Sequence, residues 1–248
     1  MIDIHCHLLP GIDDGAVDLD DALAMAQIAV NAGTTHMVVT PHIHPGRWDN
    51  AAEAISRSAS EFSAALRARD IPLAIGYAAE VRLTDQVFKQ LEEQSIPFFG
   101  QVEGYHVMLL EFPHGQVLPG SEKLTAWLLR QGIRPLLAHP ERNKEIMTTP
   151  SRLRPFIDQG CLVQVTAGSL VGRFGARAME VARYLLDNGQ IDLIASDGHN
   201  TKARRPDLSE AAAYIVENYG EAKARKLTHD EPWRLVSAQF LPKKEFDH

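Results

Sequence analysis

The chain predicts an α/β protein, a distorted TIM-like (β/α)7 barrel. Short β-branched apolar runs alternate with amphipathic helical stretches from one end to the other. Several helical stretches stop at a glycine. The length, 248 residues, matches the roughly 250 of a (β/α) barrel. An open doubly wound sheet shares the alternation, but no G-x-G-x-x-G follows the first apolar run, so a dinucleotide role has no support.

Seven runs read as buried parallel strands: residues 2–4, 35–40, 73–78, 106–110, 135–138, 162–166 and 191–195. Seven strands where a regular barrel has eight imply the distortion. Helical stretches fill the intervals. Residues 18–31 put Leu19, Leu23, Ala26 and Val30 on one face and end at Gly33. Residues 51–69 form a longer helix and 84–94 a short one. Residues 121–131 stop at Gly132, 150–159 at Gly160 and 175–188 at Gly189, each a good C-terminal cap. Residues 208–218 and the segment after them close the chain. No short-period repeat, low-complexity tract or linker interrupts the pattern, so residues 1–248 read as a single domain.

Composition narrows the function. A hydrophobic share of 45% with 23% charged residues excludes a disordered or collagen-like chain. A formal net charge of −7 weighs against electrostatically driven nucleic-acid binding. No apolar run approaches the roughly 18 residues of a membrane span, and the start MIDIHCH lacks the basic and apolar regions of a secretory leader. Two cysteines, Cys6 and Cys161, are too few for a disulfide framework. The expectation is a cytoplasmic protein.

The eleven histidines decide the chemistry by where they fall. Strand one runs into His5-Cys6-His7, and Asp14 follows in the loop GIDDGA. Strand two ends at His42, strand three near Glu80, strand four at Glu111 and strand five at His139; strand seven runs into Asp197-Gly198-His199. In a barrel the C-terminal strand ends gather on one face, where active sites are built. Residues two apart in an extended segment point to the same side, so His5 and His7 can grip one ion while Cys6 faces away, and Asp197 with His199 repeats the arrangement. Imidazole and carboxylate without thiolate suit zinc, manganese or iron and lean away from structural zinc.

Nine side chains are too many for one ion and enough for two or three. The four carboxylates (Asp14, Glu80, Glu111, Asp197) leave three divalent ions with a formal +2. Hydroxide and an anionic substrate would fill that deficit, and phosphate esters fit best. Arg142 in H-P-E-R lies near the rim, and Arg204 or Arg205 follows the strand-seven pair; guanidinium groups match phosphate geometry.

The remaining candidates read as bystanders. His44 is a supporting or surface residue, His36 and His106 begin strands at the wrong end, His114 sits on an exposed loop, and His229 and His248 are surface residues. Glu103 and Glu141 are solvated or supporting carboxylates, and spacing leaves the choice between Asp13 and Asp14 open. The Gly-rich stretch AGSLVGRFG after strand six could approach an anion through its amides, though a plain βα turn explains it equally. Trp48 either lines the pocket or caps the following helix. Serine or cysteine nucleophile chemistry has no support, since no G-x-S-x-G appears.

These motifs carry a resemblance. H-x-H, T-P-H, the strand-end glutamates, H-P-E-R and S-D-x-H resemble the PHP (polymerase and histidinol phosphatase) superfamily of metal-dependent phosphoesterases. Within it, DIHCHLLPGIDDGA, TPHIHPGRWDN, AAEVRL, LLEFP, AHPERN, TAGSLVGRFG and ASDGHN are similar to the bacterial manganese-dependent tyrosine-protein phosphatases, enzymes acting on kinases that govern capsular and extracellular polysaccharide synthesis. The resemblance implies a phosphoric monoester hydrolase with three ions, Mn2+ first and Fe, Zn or Mg as substitutes. It implies that His5, His7, Glu80 and Asp197 hold one ion, and that Glu80 bridges to a second held also by Glu111 and His139. It implies that Asp14, His42 and His199 hold the third, which selects Asp14 over Asp13. Arg142 and one of Arg204 and Arg205 would bind phosphate, and a metal-bound hydroxide would attack phosphorus. Ile43 and Trp48 depart from the more polar or tyrosine-bearing loop the resemblance implies, which touches substrate preference.

The alternative within the superfamily is a phosphatase of a small metabolite such as histidinol phosphate. An amidohydrolase on the same barrel would want a strand-four lysine and a strand-six histidine; Glu111 and V-T-A-G stand there instead. A degenerate binding protein predicts missing ligands, yet the shell is complete. A nuclease role runs against the acidic balance.

Overall fold

The computed structural model describes residues 1–241, so His248 lies outside the described residues. Its elements are β1 (Ile2–Cys6), α1 (Leu19–Asn31), β2 (His36–Val39), β3 (His42–His44), β4 (Trp48–Asp49), α2 (Ala52–Ala68), β5 (Ala74–Tyr77), β6 (Glu80–Arg82), α3 (Val87–Glu92), β7 (Gln101–Val102), β8 (Tyr105–Glu111), α4 (Ser121–Arg130) and β9 (Ile133–Ala138). They continue with α5 (Lys144–Thr148), α6 (Arg154–Gln159), β10 (Leu162–Thr166), α7 (Ala167–Leu170), α8 (Ala176–Asp187), β11 (Leu193–Ala195), α9 (Ser209–Tyr219), α10 (Glu221–Arg225) and α11 (Glu231–Val236).

All seven predicted strands form, and two of them run further than predicted. β2 continues past Thr40-Pro41 as β3, and β5 continues past Ala78-Ala79 as β6. The ladder between them does not stop at the kinks. His36 pairs with Ala74 and Val39 with Tyr77. Ala78 N–H then donates to Val39 and Glu80 N–H to Pro41, after which His42 pairs with Glu80. The kinked pair lies against β1 with its first halves and against β8 with its second halves. Parallel pairing then runs β8–β9–β10–β11. The ring closes where Cys6 bridges Gly198, supported by His7 N–H to Gly198 O and Asp197 N–H to His5 O at 2.9 and 2.8 Å. The structure is therefore the distorted (β/α)7 barrel.

The opposite end is open between β5 and β8, because only the second half of the kinked strand reaches β8. Gln239 plugs this gap. Its Oε1 accepts from Tyr77 N at 2.8 Å, and its Nε2 donates to Tyr77 O at 3.1 Å and Phe99 O at 2.6 Å. Residue 76 must be glycine for this to fit: a Cβ there would stand 2.4 Å from Gln239 Oε1.

Alternation sorts the strands into two layers. Ile2, Ile4, Val38, Val107, Leu109, Leu136, Ala138, Leu193 and Ala195 fill the barrel interior, floored by Leu235 and Val236 of α11. Met37, Val39, Met108, Leu110, Leu137, Val163, Val165 and Ile194 face the helices. Both layers are almost fully buried, and each such aliphatic side chain gains roughly 1.5–3 kcal/mol from leaving water.

The helices depart from expectation mainly at their ends. The 84–94 stretch contracts to α3, and 150–159 begins as a 3-10 turn before α6. The short α5 and α7 carry too few turns to show a periodicity. α1 starts where Asp18 caps it, accepting from Asp21 N at 2.9 Å. No helix of the described residues is long and apolar enough to cross a membrane.

Candidate metal centre

The interior rows carry the site. Continuing the alternation of Val38, Ala78, Val107-Leu109 and Leu193-Ala195 by two or four residues brings His42, Glu80, Glu111 and Asp197 inward at one rim. Two site residues break that alternation, and each has its own backbone device. β1 gains one residue relative to β2 between Asp3 and Cys6, a bulge that turns His5 inward directly after Ile4 and leaves Cys6 among the helix-facing residues. His139 follows the inward Ala138, so a regular strand would aim it outward. It adopts a left-handed φ of 34° instead. Asp197 is left-handed too, with φ 51°. Such backbones cost on the order of 1–3 kcal/mol each and persist where the surroundings fix them.

Three groups of donors converge, each with ligand atoms within 4.8 Å of one another: His5, His7, Glu80 and Asp197; His7, Asp14, His42 and His199; His42, Glu80 and Glu111. His139 Nε2 adjoins the last group, 2.7 Å from Glu80 Oε1 and 4.0 Å from Glu111 Oε1. All nine residues the sequence singles out thus meet at one rim. All are buried except Asp14, whose side chain is 40% exposed at the mouth.

Ring orientation is set from behind. His5 Nδ1 donates to Gln164 Oε1 at 2.8 Å, His7 Nδ1 to Asp13 Oδ2 at 2.7 Å, and His199 Nδ1 to Asp197 O at 2.9 Å. The Nε2 lone pair of each ring is left for the centre. Asp13 also accepts from His42 N and Gly15 N, so it is wholly engaged as a support. Asp14, the residue beside it, faces His42 Nε2 and His199 Nε2 at 3.3 and 3.4 Å. The geometry separates the two neighbours that spacing left open.

The donor set fits divalent cations. Glu80 Oε2 and Asp197 Oδ1 are buried without a hydrogen-bond partner among the described residues. Each nevertheless lies 3.3 Å from His5 Nε2 and 3.4 Å from His7 Nε2. Buried acceptors facing imidazole lone pairs are costly unless a cation sits among them.

Charge follows the same logic in the metal-free protein. Burial would raise Asp197, but the Arg204 and Arg142 guanidinium groups overcome it and hold the carboxyl well below the usual range. Burial and then the Glu80 charge push Glu111 up to about 7. Burial and then the Arg142 charge bring His139 down to about 4. Burial opposes a charge on His42, yet Glu80 beside it lifts that ring to about 9. Four carboxylates and five imidazoles crowded at one buried rim, with two guanidinium groups beside them, produce this spread.

A cavity of about 280 Å3 opens above the cluster. Arg142 and Arg204 both line it and both bond Asp197 Oδ2, Arg204 at 2.6 Å. Arg205 is a correction to the sequence reading: it points away, 3.9 Å from both Asp207 and Glu210. Glu141 is the supporting one of the two carboxylate roles the sequence offers it: it is fully buried and accepts from Thr166 N and Ser169 Oγ. Within the 167–175 stretch, Arg173 N–H donates to Gly168 O, Gly172 N–H to Ser169 O and Gly175 N–H to Gly172 O. His114 is exposed and lines the mouth. Trp48 lines it as well, stacked on His42 with ring centroids 4.7 Å apart, and His44 meets its edge.

His36 packs on Trp233 and Phe240, His106 on Phe98, and His229 pairs with Asp230, all away from the centre. Glu103 is a surface partner of Arg134. Sequence reasoning missed Gln164, an interior residue of β10, and Arg82, whose Nε lies 3.1 Å from Glu111 Oε2 while Nη1 donates to Phe112 O. For Gln164 a signal existed: a polar residue in an otherwise apolar buried run.

The sequence profile of the capsular polysaccharide synthesis family CpsB/CapC matches residues 1–237. The chain belongs to this CpsB/CapC family. It is 35% identical over 230 residues to the tyrosine-protein phosphatase YwqE of Bacillus subtilis (strain 168), covering 93% of this chain and 89% of that relative. It is 28% identical over 250 residues to the tyrosine-protein phosphatase CpsB of Streptococcus pneumoniae, covering 97% and 100%. A solved structure from work on YwqE and CpsB, described there as unique metal-dependent tyrosine phosphatases, superposes with a TM-score of 0.88 at 34% identity, covering 96% and 95% of the two chains. An organophosphorus hydrolase from Deinococcus radiodurans covers 95% and 92% with a TM-score of 0.57 at 15% identity. That likeness is one of fold, and this CpsB/CapC member shares its barrel architecture alone.

Proposed function

We propose that this CpsB/CapC member is a metal-dependent protein-tyrosine phosphatase, a phosphoric monoester hydrolase acting on a phosphotyrosine protein. The partner we infer is a bacterial tyrosine kinase regulating polysaccharide synthesis, met in the cytoplasm by a chain acting as one catalytic domain. The reading rests on one observation above all. Two guanidinium groups meet on Asp197 Oδ2 while its other oxygen, unbonded, faces His5 and His7. Asp197 thereby joins a cation site to an anion site, the pairing that phosphoester hydrolysis requires.

Mn2+ is the ion we assign first, with three per site. His5, His7, Glu80 and Asp197 would hold one; Glu80, Glu111 and His139 a second; Asp14, His42 and His199 a third. When bound, the ions supply Lewis acidity and an activated water. The chain's own residues do the rest. Arg142 and Arg204 bind and orient the phosphoryl group over the cluster. Gln164, Asp13 and the Asp197 carbonyl keep three imidazoles in the tautomer that leaves Nε2 free. Trp48 walls the mouth beside His42.

The test is steady-state hydrolysis of a tyrosine-phosphorylated peptide against histidinol phosphate. It uses metal-stripped protein refilled with Mn2+, beside His139→Ala and Arg142→Ala. Manganese-dependent release from the peptide, lost in both variants, is the expected result. Preference for histidinol phosphate would move the protein to small-metabolite chemistry and sink the protein-phosphatase reading.

A further inference from the structure

The 167–175 stretch has no role in the reading above, yet it is tied to the phosphate arginines from two sides. The Glu141 carboxylate, next in sequence to Arg142, accepts from Thr166 N at 3.0 Å and from Ser169 Oγ at 2.7 Å. This fastens the start of the stretch beneath the H-P-E-R turn. Its far end then folds back, with Arg173 N–H on Gly168 O at 2.9 Å. The fold-back sets one aromatic ring against two of the residues that line the cavity. The Arg142 guanidinium carbon lies 4.3 Å from the Phe174 ring centroid, and that of Arg204 lies 5.9 Å from the same centroid. Gly168 makes room for it: a Cβ at 168 would stand 3.0 Å from Phe174 Cε2.

We propose that Phe174 is a positioning residue, an aromatic floor that holds Arg142 and Arg204 in their phosphate-binding orientation. A guanidinium over an aromatic face keeps its plane fixed and its N–H edges free, and the attraction is stronger where water is partly excluded. Asp197 Oδ2 takes one edge of each guanidinium. The ring fixes a face, so the remaining N–H groups point to one place in the cavity. Without the ring, two long side chains are left with Asp197 as their shared anchor and recover rotamer freedom, which weakens any ligand needing both at once. The floor acts on the phosphoryl group, whatever that group is attached to.

The inference rests on the phosphate-binding role given to Arg142 and Arg204, and its test reads binding apart from turnover. Manganese-loaded wild type, Phe174→Leu, Phe174→Tyr and Gly168→Ala are titrated with inorganic phosphate by calorimetry, with manganese content measured alongside. Phe174→Leu should bind phosphate about three- to thirtyfold more weakly, the reach of a cation–π contact from exposed to desolvated. Phe174→Tyr should bind like wild type. Gly168→Ala, which pushes the ring without removing it, should shift affinity in the same direction by less. For both a phosphotyrosyl peptide and an alkyl phosphomonoester, the Leu variant should raise KM more than it lowers kcat.

Unchanged phosphate affinity in Phe174→Leu at full manganese content overturns the proposal. So does a loss confined to the aryl substrate, which would place the ring against the leaving group. Wild type that binds phosphate yet releases none from phosphotyrosine refutes the phosphatase reading and leaves the calorimetric comparison intact.

Discussion

The carboxylate of Asp13 accepts the Nδ1 proton of His7 at 2.7 Å, so the Nε2 of that ring is turned toward Glu80 and Asp197, 3.4 Å from each. Asp13→Asn replaces an acceptor-only group with an amide that must also serve the N–H groups of His42 and Gly15. Metal affinity should fall about 10- to 100-fold, the usual effect of losing a partner behind a ligating imidazole. Chelator-competition titration with Mn2+ measures it. Wild-type affinity in the variant would mean that the ring needs no such support.

Arg204 and Arg205 are neighbours in sequence with opposite surroundings. Arg204 Nη2 reaches Asp197 Oδ2 in the cavity, whereas Arg205 faces Asp207 and Glu210 at the surface. Arg204→Ala should lower kcat/KM on a phosphotyrosyl peptide about 100-fold or more, as loss of a transition-state donor does. Arg205→Ala should stay within about twofold, since exposed pairs contribute little. Equal losses in the two variants would refute the assignment.

Gln239 tests the fold rather than the site. It seals the open end of the barrel through three hydrogen bonds to the backbone of Tyr77 and Phe99. Gln239→Ala leaves those backbone groups short of partners, which costs about 1–3 kcal/mol for a buried group. A melting temperature lower by roughly 2–10 °C follows for a chain of this size. Manganese-dependent activity at 25 °C should be unchanged, because the metal cluster lies at the other rim. Loss of activity at full folding would show that the two ends are coupled.

Much of this was legible in the sequence, and what escaped has identifiable causes. His42, Glu80, Glu111 and Asp197 lie on the interior rows of their strands, so alternation alone finds them. His5 and His139 also sit at strand ends, but what turns them inward is a bulge and a left-handed residue. Neither leaves a mark in hydrophobic periodicity. In the sequence Thr40-Pro41 and Ala78-Ala79 look like strand ends, because a ladder continuing across them depends on pairing between distant segments. Gln239 and Phe174 act through contacts with residues far away in sequence, beyond the reach of any local pattern.

Stability against pH separates the stripped protein from the loaded one. In the metal-free fold His42 is lifted from 6.5 to about 9, burial being overcome by Glu80, and His7 is raised as well, burial being overcome by Asp13. A ring whose pKa is higher folded than unfolded stabilises the fold through its protonated form. That contribution is complete below about 6.5 and is lost as pH rises through about 9. His42 alone carries up to about 3 kcal/mol across that window. His139, lowered to about 4, acts in the opposite sense only below about 6.5, and Glu111, raised to about 7, acts between about 4.5 and 7. Neither His139 nor Glu111 acts between pH 7 and 9, and the Met1 amino group, lowered from 8.0 by burial, opposes the raised histidines only in the lower part of that interval. Bound ions require the same rings neutral, so loading removes the dependence. Urea midpoints of stripped protein should fall steadily from pH 7 to 9, while those of manganese-loaded protein hold or rise. A flat profile for stripped protein would mean that the clustered carboxylates do not keep these rings protonated, and that cations are not what the cluster lacks.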